Sequence, residues 1–191
     1  TTPLKNIPTS LFIKDEINHP VKEWKLIPFK RPKEPLHYLL LANMGISAKN
    51  LSAGIRFGMM RRHGGYLLYQ SNFNNMPQTI GKCDKNGLLD NGTITPYYTG
   101  KTTKSEYMII MGGVHRLWSS IYLYEGLGYG KRLVAWENAD NTYYENSHYS
   151  TKGIAAEIGL MHRFNRLIMS VGTQTISGKH WLGNIGFGIH F

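Results

Sequence analysis

The residues that decide the fold are the last of the chain, residues 181–191, with the sequence WLGNIGFGIHF. The odd-numbered positions are mostly apolar or aromatic, namely Trp181, Gly183, Ile185, Phe187, Ile189 and Phe191. The even-numbered positions are mostly small or polar, namely Leu182, Asn184, Gly186, Gly188 and His190. An alternation with a period of two is typical of a β-strand that has one apolar and one polar face.

Seven other segments have the composition of strands. Three of them alternate as clearly as the last one: residues 51–59, 153–163 and 167–175. In four others the alternation does not settle which residues share a face: residues 36–47, 65–73, 105–116 and 120–136. We therefore predict an all-β chain of eight antiparallel strands.

The links between these segments differ in length. Short links lie at residues 62–64, 117–119 and 165–166, whereas residues 74–104 and 137–152 form long polar links rich in Asn, Thr, Gly and Tyr. In an up-and-down meander the links alternate between two ends, so the short links share one end and both long links share the other. This arrangement is typical of a transmembrane β-barrel of the outer membrane. A soluble β-sandwich would give no physical reason for short and long links to lie at opposite ends.

On these strands the charged residues lie on the face that carries mostly small or polar side chains. The apolar face has almost no charged residue. A polar interior with an apolar exterior is the arrangement of a transmembrane barrel. Because buried charges must be paired, we predict a structural charge cluster in the barrel interior, made of Arg56, Glu125, Glu157 and Arg163. The alternative is a soluble, lipocalin-like ligand-binding barrel, whose interior would be apolar.

Glycines and aromatic residues are consistent with the same fold. Gly126, Gly128 and Gly130 occupy every second position of a predicted strand. No helix follows them, so they do not form a dinucleotide-binding loop. We expect them to make room for bulky interior neighbours. Because Tyr and Trp favour the two water–lipid boundaries, we place there the aromatic residues near strand ends: Tyr38, Tyr66, Trp118, Tyr122, Trp136, Trp181 and Phe191.

The first 35 residues have a different composition. They contain six of the eight prolines and seven Lys or Arg against four Asp or Glu. Proline at this density prevents helices and central strands, so we predict an extended proline-rich arm at residues 1–35, followed by the barrel at 36–191. The start of the chain has no signal pattern, which indicates a cytosolic or a mature exported protein. Apolar side chains dominate interface energy, so the candidate partner-binding residues of the arm are Trp24, Leu26, Ile27 and Phe29.

Composition excludes several function classes. The 191 residues include 22 Lys or Arg and 12 Asp or Glu, a formal charge of +10, but the basic residues are scattered and form no stripe that would bind nucleic acid. We expect them to contact lipid headgroups or lipopolysaccharide phosphates. One Cys and eight His without metal-ligand spacing predict no metal site, and we expect no cofactor. No apolar run is long enough for a membrane helix.

The end of the chain resembles the terminal signal of bacterial outer-membrane barrels, with Asn184, Gly186, Ile189 and Phe191 at its four positions. In those proteins the barrel-insertion machinery recognises this strand. Two further runs, residues 126–132 followed by Trp136 and Glu137, and residues 159–164, resemble small Bacteroidota barrels of the OmpA/OmpX-like group. The resemblance covers residues 36–191 and implies an outer-membrane barrel of a Gram-negative bacterium. Such barrels often serve as anchors or accessory subunits of larger assemblies.

We therefore expect a non-catalytic anchor or accessory subunit with its arm and C terminus in the periplasm. Its partners would be other outer-membrane proteins, bound through the barrel wall, the arm or the loops. An eight-stranded barrel leaves no aqueous channel, which argues against a porin.

One enzymatic alternative is a lipid A deacylase-like hydrolase. His148 and Ser150 have the His-x-Ser spacing of that family, in which a carboxylate completes the site. A Ser nucleophile needs a base and an orienting acid. Glu157 lies nine residues from His148 and seven from Ser150, and an odd offset puts residues on opposite faces of a strand. The family's surrounding residues are also absent, so we expect no catalytic site.

Overall fold

The computed structural model describes residues 35–47, 50–89 and 95–191, which form ten strands. The predicted arm contacts at Trp24, Leu26, Ile27 and Phe29 lie outside the described residues. Within the described ranges no helix is long and apolar enough to cross a membrane. The strands are β1 (His37–Ser47), β2 (Asn50–Met60), β3 (His63–Ser71), β4 (Thr79–Cys83), β5 (Tyr98–Arg116), β6 (Ile121–Asn138), β7 (Tyr143–Asn146), β8 (Thr151–Phe164), β9 (Leu167–Ile176) and β10 (His180–His190).

Eight of these strands close into an antiparallel barrel in the order β1-β2-β3-β5-β6-β8-β9-β10. The last strand pairs with the first, from Leu39 opposite His190 to Ile46 opposite Gly183. Every strand predicted from the sequence is found, so the predicted eight-stranded up-and-down barrel is confirmed.

The two ends of the barrel differ as the link lengths predict. The links β2–β3, β5–β6 and β8–β9 are short and lie at the end where β1 begins and β10 finishes, which we call the short-turn end. The links β3–β5 and β6–β8 lie at the opposite, long-loop end.

The long links contain structure that their polar composition did not predict. β5 and β6 pair from Tyr98 opposite Asn138 down to Arg116 opposite Tyr122, so their hairpin extends beyond its neighbours. β7 pairs with the extension of β6, and β4 adds to β7 in parallel. The result is a small sheet, in the order β4-β7-β6-β5, at the long-loop end.

The outer face of the barrel is a belt of large apolar side chains. Ile55, Leu127 and Val171 are 60%, 66% and 60% exposed, and similar residues follow on every barrel strand. Leaving such a belt in water would cost about 25 cal/mol for each Å² of apolar surface. A closed wall with an apolar exterior is the architecture of an outer-membrane β-barrel. The soluble lipocalin-like alternative is therefore wrong.

The interior differs from the predicted polar lumen. Polar side chains occupy its middle, but an apolar layer fills it toward the short-turn end, formed by Leu39, Leu41, Met60, Val114, Met161 and Ile168. Tyr66 and Tyr122 also face the lumen, 4% and 1% exposed, so their predicted place at the lipid boundary is wrong. On β3 and β6 the even-numbered residues point inward, and the sequence did not settle that phase.

Inward-facing glycines make the room that these side chains need, as predicted. A Cβ on Gly126 would lie 2.5 Å from Oη of Tyr66 and 2.7 Å from Cγ2 of Ile110. A Cβ on Gly130 would lie 2.9 Å from Cγ1 of Ile176, and one on Gly128 would collide with the backbone of Ile109.

Gly126→Ala is expected to lower the free energy of unfolding by about 1–3 kcal/mol, the usual cost of overpacking a filled core. Equilibrium unfolding of the barrel in detergent micelles measures this cost. The matched control is Gly183→Ala on the outer face, where the nearest heavy atom is 3.8 Å away and we expect no loss. In a Tyr66→Phe background, which removes Oη, the cost of Gly126→Ala should fall. Equal costs at Gly126 and Gly183 would contradict the packing role.

Candidate functional site

The centre of the lumen holds a buried ion pair. Nη2 of Arg56 lies 2.8 Å from Oε2 of Glu157, and both side chains are 0% exposed. The guanidinium is also stacked on two rings, with its Cζ 4.9 Å from the centre of Tyr66 and 4.2 Å from the centre of Tyr124. Nε2 of Gln174 donates to the same carboxylate oxygen at 2.9 Å. Of the four residues predicted for the interior charge cluster, the structure brings Arg56 and Glu157 together in the lumen.

Amide side chains extend this pair across the lumen. Gln174 and Asn184 both donate to Oε1 of Gln70, at 3.3 and 3.1 Å, and Gln70 donates to Oγ of Ser52 at 2.8 Å. The network links β2, β3, β8, β9 and β10 and fills the space with side chains. Such a network acts as a structural core, and neither member of the ion pair is exposed to a substrate.

A second buried cluster, nearer the long-loop end, was missed in the sequence. Oε2 of Glu106 lies 2.9 Å from Nε2 of His180 and 3.8 Å from Nε of Arg132. Nδ2 of Asn50 donates to the same oxygen at 3.1 Å. Glu106 lies two residues before Met108 and therefore on the same, inward face of β5. This shared parity is the sequence feature that could have predicted its place in the lumen.

Glu125 is not in the interior, so its predicted membership of the charge cluster is wrong. It lies on the outward face of β6, where its Oε1 is 2.8 Å from Nε2 of His115 on β5. Nδ1 of His115 in turn lies 2.9 Å from Nδ1 of His63 on β3. These three residues, which we call the wall trio, form a hydrogen-bonded row on the outside of the barrel.

The wall trio interrupts the apolar belt. On β6 the outward positions, counted from the short-turn end, begin with Ile121, Leu123, Glu125, Leu127 and Tyr129, so Glu125 lies between apolar neighbours. Its side chain is 43% exposed and that of His115 is 40% exposed. Gly113 makes room for the pair, because a Cβ there would lie 2.8 Å from Nε2 of His115.

A shallow apolar groove lies beside Glu125 on the same outer wall. Its volume is about 510 Å³, and its lining includes Met111, Leu127, Ala156, Ile158, Thr173 and Trp181. Small residues on β8 and β9 create the depression between larger neighbours. This part of the wall therefore combines a carboxylate with a concave apolar surface.

Arg163, the fourth predicted member of the cluster, is inward-facing but separate from the central pair. It lies at the short-turn end, where its Cζ is 6.0 Å from the ring centre of Tyr122. The apolar layer of the lumen lies between this end and the central network. The prediction of one four-membered cluster is therefore wrong, because strand phase alone does not give the height of a residue in the barrel.

The residues of the deacylase-like alternative are not brought together. Oγ of Ser150 accepts a hydrogen bond at 3.0 Å from the backbone N–H of Val134, whereas Glu157 is in the lumen, paired with Arg56. His148 lies in the turn after β7, where its backbone N–H donates to Asn146.

The four residues of the terminal signal divide between the two faces of β10. Asn184 and Gly186 face the lumen, where a Cβ on Gly186 would collide with Oγ of Ser170. Ile189 and Phe191 face outward, 47% and 64% exposed. The ring of Phe191 lies 6.1 Å from that of Tyr38, so these two aromatic residues meet at the outer edge of the short-turn end.

Comparison with known proteins gives structural likenesses at low sequence identity. No protein-family model matches the chain, and no curated protein sequence matches it. The structure is similar to that of Ail, the attachment invasion locus protein of Yersinia pestis, with 12% identity, 82% of this chain and 96% of Ail covered, and a TM-score of 0.47.

Two further likenesses are to Neisserial surface protein A and to a de novo designed transmembrane β-barrel. The first has 10% identity, covers 81% of this chain and 94% of that protein, and has a TM-score of 0.39. The second has 12% identity, covers 81% of this chain and 93% of the designed protein, and has a TM-score of 0.38.

The resemblance to Bacteroidota barrels and to the OmpA/OmpX-like group stays a prediction. By its own closed wall and apolar outer belt, the chain is an outer-membrane β-barrel.

Proposed function

We propose that this protein is a non-catalytic anchor or accessory subunit of a larger outer-membrane protein assembly. In this proposal the short-turn end, with the arm and the C terminus, faces the periplasm, as short turns do in bacterial barrels. The terminal strand would be recognised by the insertion machinery, and the assembly would form on the finished barrel.

The filled lumen favours this role over transport. Arg56, Glu157 and Gln70 close the middle of the barrel, and the apolar layer closes the space below them. An eight-stranded barrel has just enough width for its own side chains. A protein with this interior acts through its outer wall, its arm or its loops.

The wall trio is the observation that carries the proposal. An ionisable side chain that faces lipid destabilises a barrel, and the cost is greatest near the middle of the bilayer. Glu125 is the third outward residue of β6 from the short-turn end, with Leu123 and Leu127 as its outward neighbours on the strand and an apolar groove beside it. A membrane-embedded partner with an apolar wall and a hydrogen-bond donor or cation at this height would remove Glu125 from lipid and fill the groove.

Glu125→Leu is expected to reduce the recovery of the partner with the tagged protein by about tenfold, which corresponds to about 1.4 kcal/mol of association free energy. The isolated barrel should be as stable as before or more stable, because a lipid-facing carboxylate has been removed. Co-purification after mild detergent extraction measures the first effect, and equilibrium unfolding measures the second.

The matched control for Glu125→Leu is Glu145→Leu, which removes a carboxylate from β7 at the long-loop end. We expect it to leave partner recovery unchanged. Unchanged recovery with Glu125→Leu, or equal losses in both variants, would contradict a contact at the wall trio.

The arm offers a second proposed contact, independent of the wall. Trp24, Leu26, Ile27 and Phe29 are apolar and close together in the sequence, and such side chains dominate binding energy when a partner buries them. Replacing all four with Ser should release a partner without unfolding the barrel. Unchanged association in this variant would restrict the contact to the wall and the loops.

A further inference from the structure

A groove lies above the lumen at the long-loop end, where the β5–β6 hairpin extends beyond its neighbours. It consists of two adjoining cavities of about 440 and 290 Å³, and Thr102 and Trp136 line both of them. The first cavity also contains Arg132, nearer the barrel, and the second contains Tyr98, farther from it. The function proposed above does not use this groove.

Strand alternation puts the groove on the face of the hairpin that continues the inner wall of the barrel. Thr102 is opposite Trp136, and closer to the barrel Glu106 is opposite Arg132. All four have even numbers, the parity that faces the lumen on β5 and β6. Trp136, expected from the sequence at a lipid boundary, therefore faces the groove.

Three aromatic rings form the apolar walls of the groove. The ring centre of Tyr98 lies 5.3 Å from that of Trp136, at an interplanar angle of 82°, and that of Tyr149 lies 6.2 Å from it at 37°. Oη of Tyr98 donates to the backbone carbonyl of Gly87 at 2.7 Å, which fixes this ring. Tyr149 is 44% exposed, so its ring is accessible at the rim.

Two cations of the lining already have carboxylate partners. Nε of Arg132 lies 3.8 Å from Oε2 of Glu106, and its Nη1 lies 3.0 Å from Nδ1 of His180. Nζ of Lys101 lies 3.3 Å from Oε2 of Glu137. Within the described residues the buried Nε of Arg132 has no hydrogen-bond acceptor. This lining therefore matches a ligand that brings hydroxyl groups rather than a net charge.

We propose that this groove binds a neutral saccharide, with a sugar ring stacked on Trp136 between Tyr98 and Tyr149. A sugar has an apolar C–H face that packs on aromatic rings and hydroxyl groups at its edge, and small-molecule sites combine such walls with a few placed polar groups. Thr102 and Arg132 supply those polar groups. Because a water molecule takes about 30 Å³ of liquid volume, the two cavities have room for about fifteen and ten waters, enough for one sugar ring in each.

The test measures binding of the full chain to an array of immobilised neutral and acidic oligosaccharides. A polyoxyethylene detergent keeps the chain in solution, because a glycoside detergent would itself compete as a sugar. We expect saturable binding to at least one neutral oligosaccharide. The same oligosaccharide, free in solution, should change the tryptophan fluorescence of the chain. Trp136→Phe, which keeps an aromatic ring beside Tyr98, should abolish that change.

Two variants of the lining come with matched controls. Tyr149→Ala removes one wall and should weaken binding about fivefold. Its control is Tyr97→Ala, which removes a ring that is 79% exposed and lines neither cavity, and the affinity should change less than about twofold. Thr102→Leu puts a larger side chain into both cavities and should weaken binding at least about tenfold. Its control is Thr103→Leu, on the opposite face of β5.

Three results would overturn the proposal. The first is no binding to any neutral oligosaccharide, and the second is binding confined to acidic ones, because recognition would then follow charge. The third is a loss of affinity as large in Tyr97→Ala and Thr103→Leu as in the two variants of the lining. Binding that Thr102→Leu weakens and Thr103→Leu leaves unchanged supports the proposal.

Discussion

Replacing Glu157 with alanine is expected to lower the free energy of unfolding by about 3–5 kcal/mol, the usual cost of leaving a buried charge without its partner. The Arg56 guanidinium would remain at 0% exposure, above the apolar layer and without its carboxylate 2.8 Å away. Gln174 would lose one of its two acceptors as well, because its Nε2 also donates to Gln70. Equilibrium unfolding in detergent micelles, compared with the parent chain, measures the loss.

Two further variants show whether this loss comes from the unpaired charge. Asp140→Ala removes an exposed carboxylate at the long-loop end and should cost less than about 1 kcal/mol. Arg56→Met combined with Glu157→Gln removes both charges, keeps the side-chain volumes and leaves an acceptor for Gln174, so it should recover at least half of the loss. A double variant as unstable as Glu157→Ala would contradict the account, because packing rather than charge would then dominate.

Tyr124→Ala is expected to cost about 3–5 kcal/mol, the range for removing a large ring from a filled core. The ring is 0% exposed, and the Arg56 guanidinium is stacked on it at 4.2 Å. Tyr124→Phe keeps the ring and the stacking, so it should cost less than about 1 kcal/mol. Unfolding of both variants under the same conditions separates the ring from the hydroxyl group.

The control for Tyr124 is Tyr97→Ala, which removes a ring that is 79% exposed in the link before β5. This substitution should leave the free energy of unfolding within about 0.5 kcal/mol of the parent value. If Tyr124→Phe were as destabilising as Tyr124→Ala, the hydroxyl group, and not the stacked ring, would be the stabilising feature.

The sequence predicts the barrel well because its main signals are local. Alternation on the last strand identifies the lumen-facing side of β10, and the same period on β2, β8 and β9 gives the correct faces for Arg56 and Glu157. Link length then separates the two ends without any knowledge of contacts. These features depend only on neighbours in the chain, so a single sequence contains them.

The sequence fails where strand phase or strand register is needed. On β6 both parities contain Tyr and charged residues, so the alternation does not show that Glu125 faces outward. For Arg163 the predicted face of the strand is correct, but its predicted position along the barrel axis is wrong. Only the register of β8 with β6 and β9 gives that position. The wall trio joins residues from β3, β5 and β6, and no spacing in the sequence indicates that contact.

The most direct test of the proposed role is the native mass and composition of a tagged form extracted from its own cells in mild detergent. The account predicts a detergent-dependent particle much larger than one chain of 21.7 kDa in its micelle, with other outer-membrane proteins in constant proportion. A particle that contains one copy of this chain and no other protein would contradict the accessory-subunit role. Recovery without detergent would contradict the membrane barrel itself.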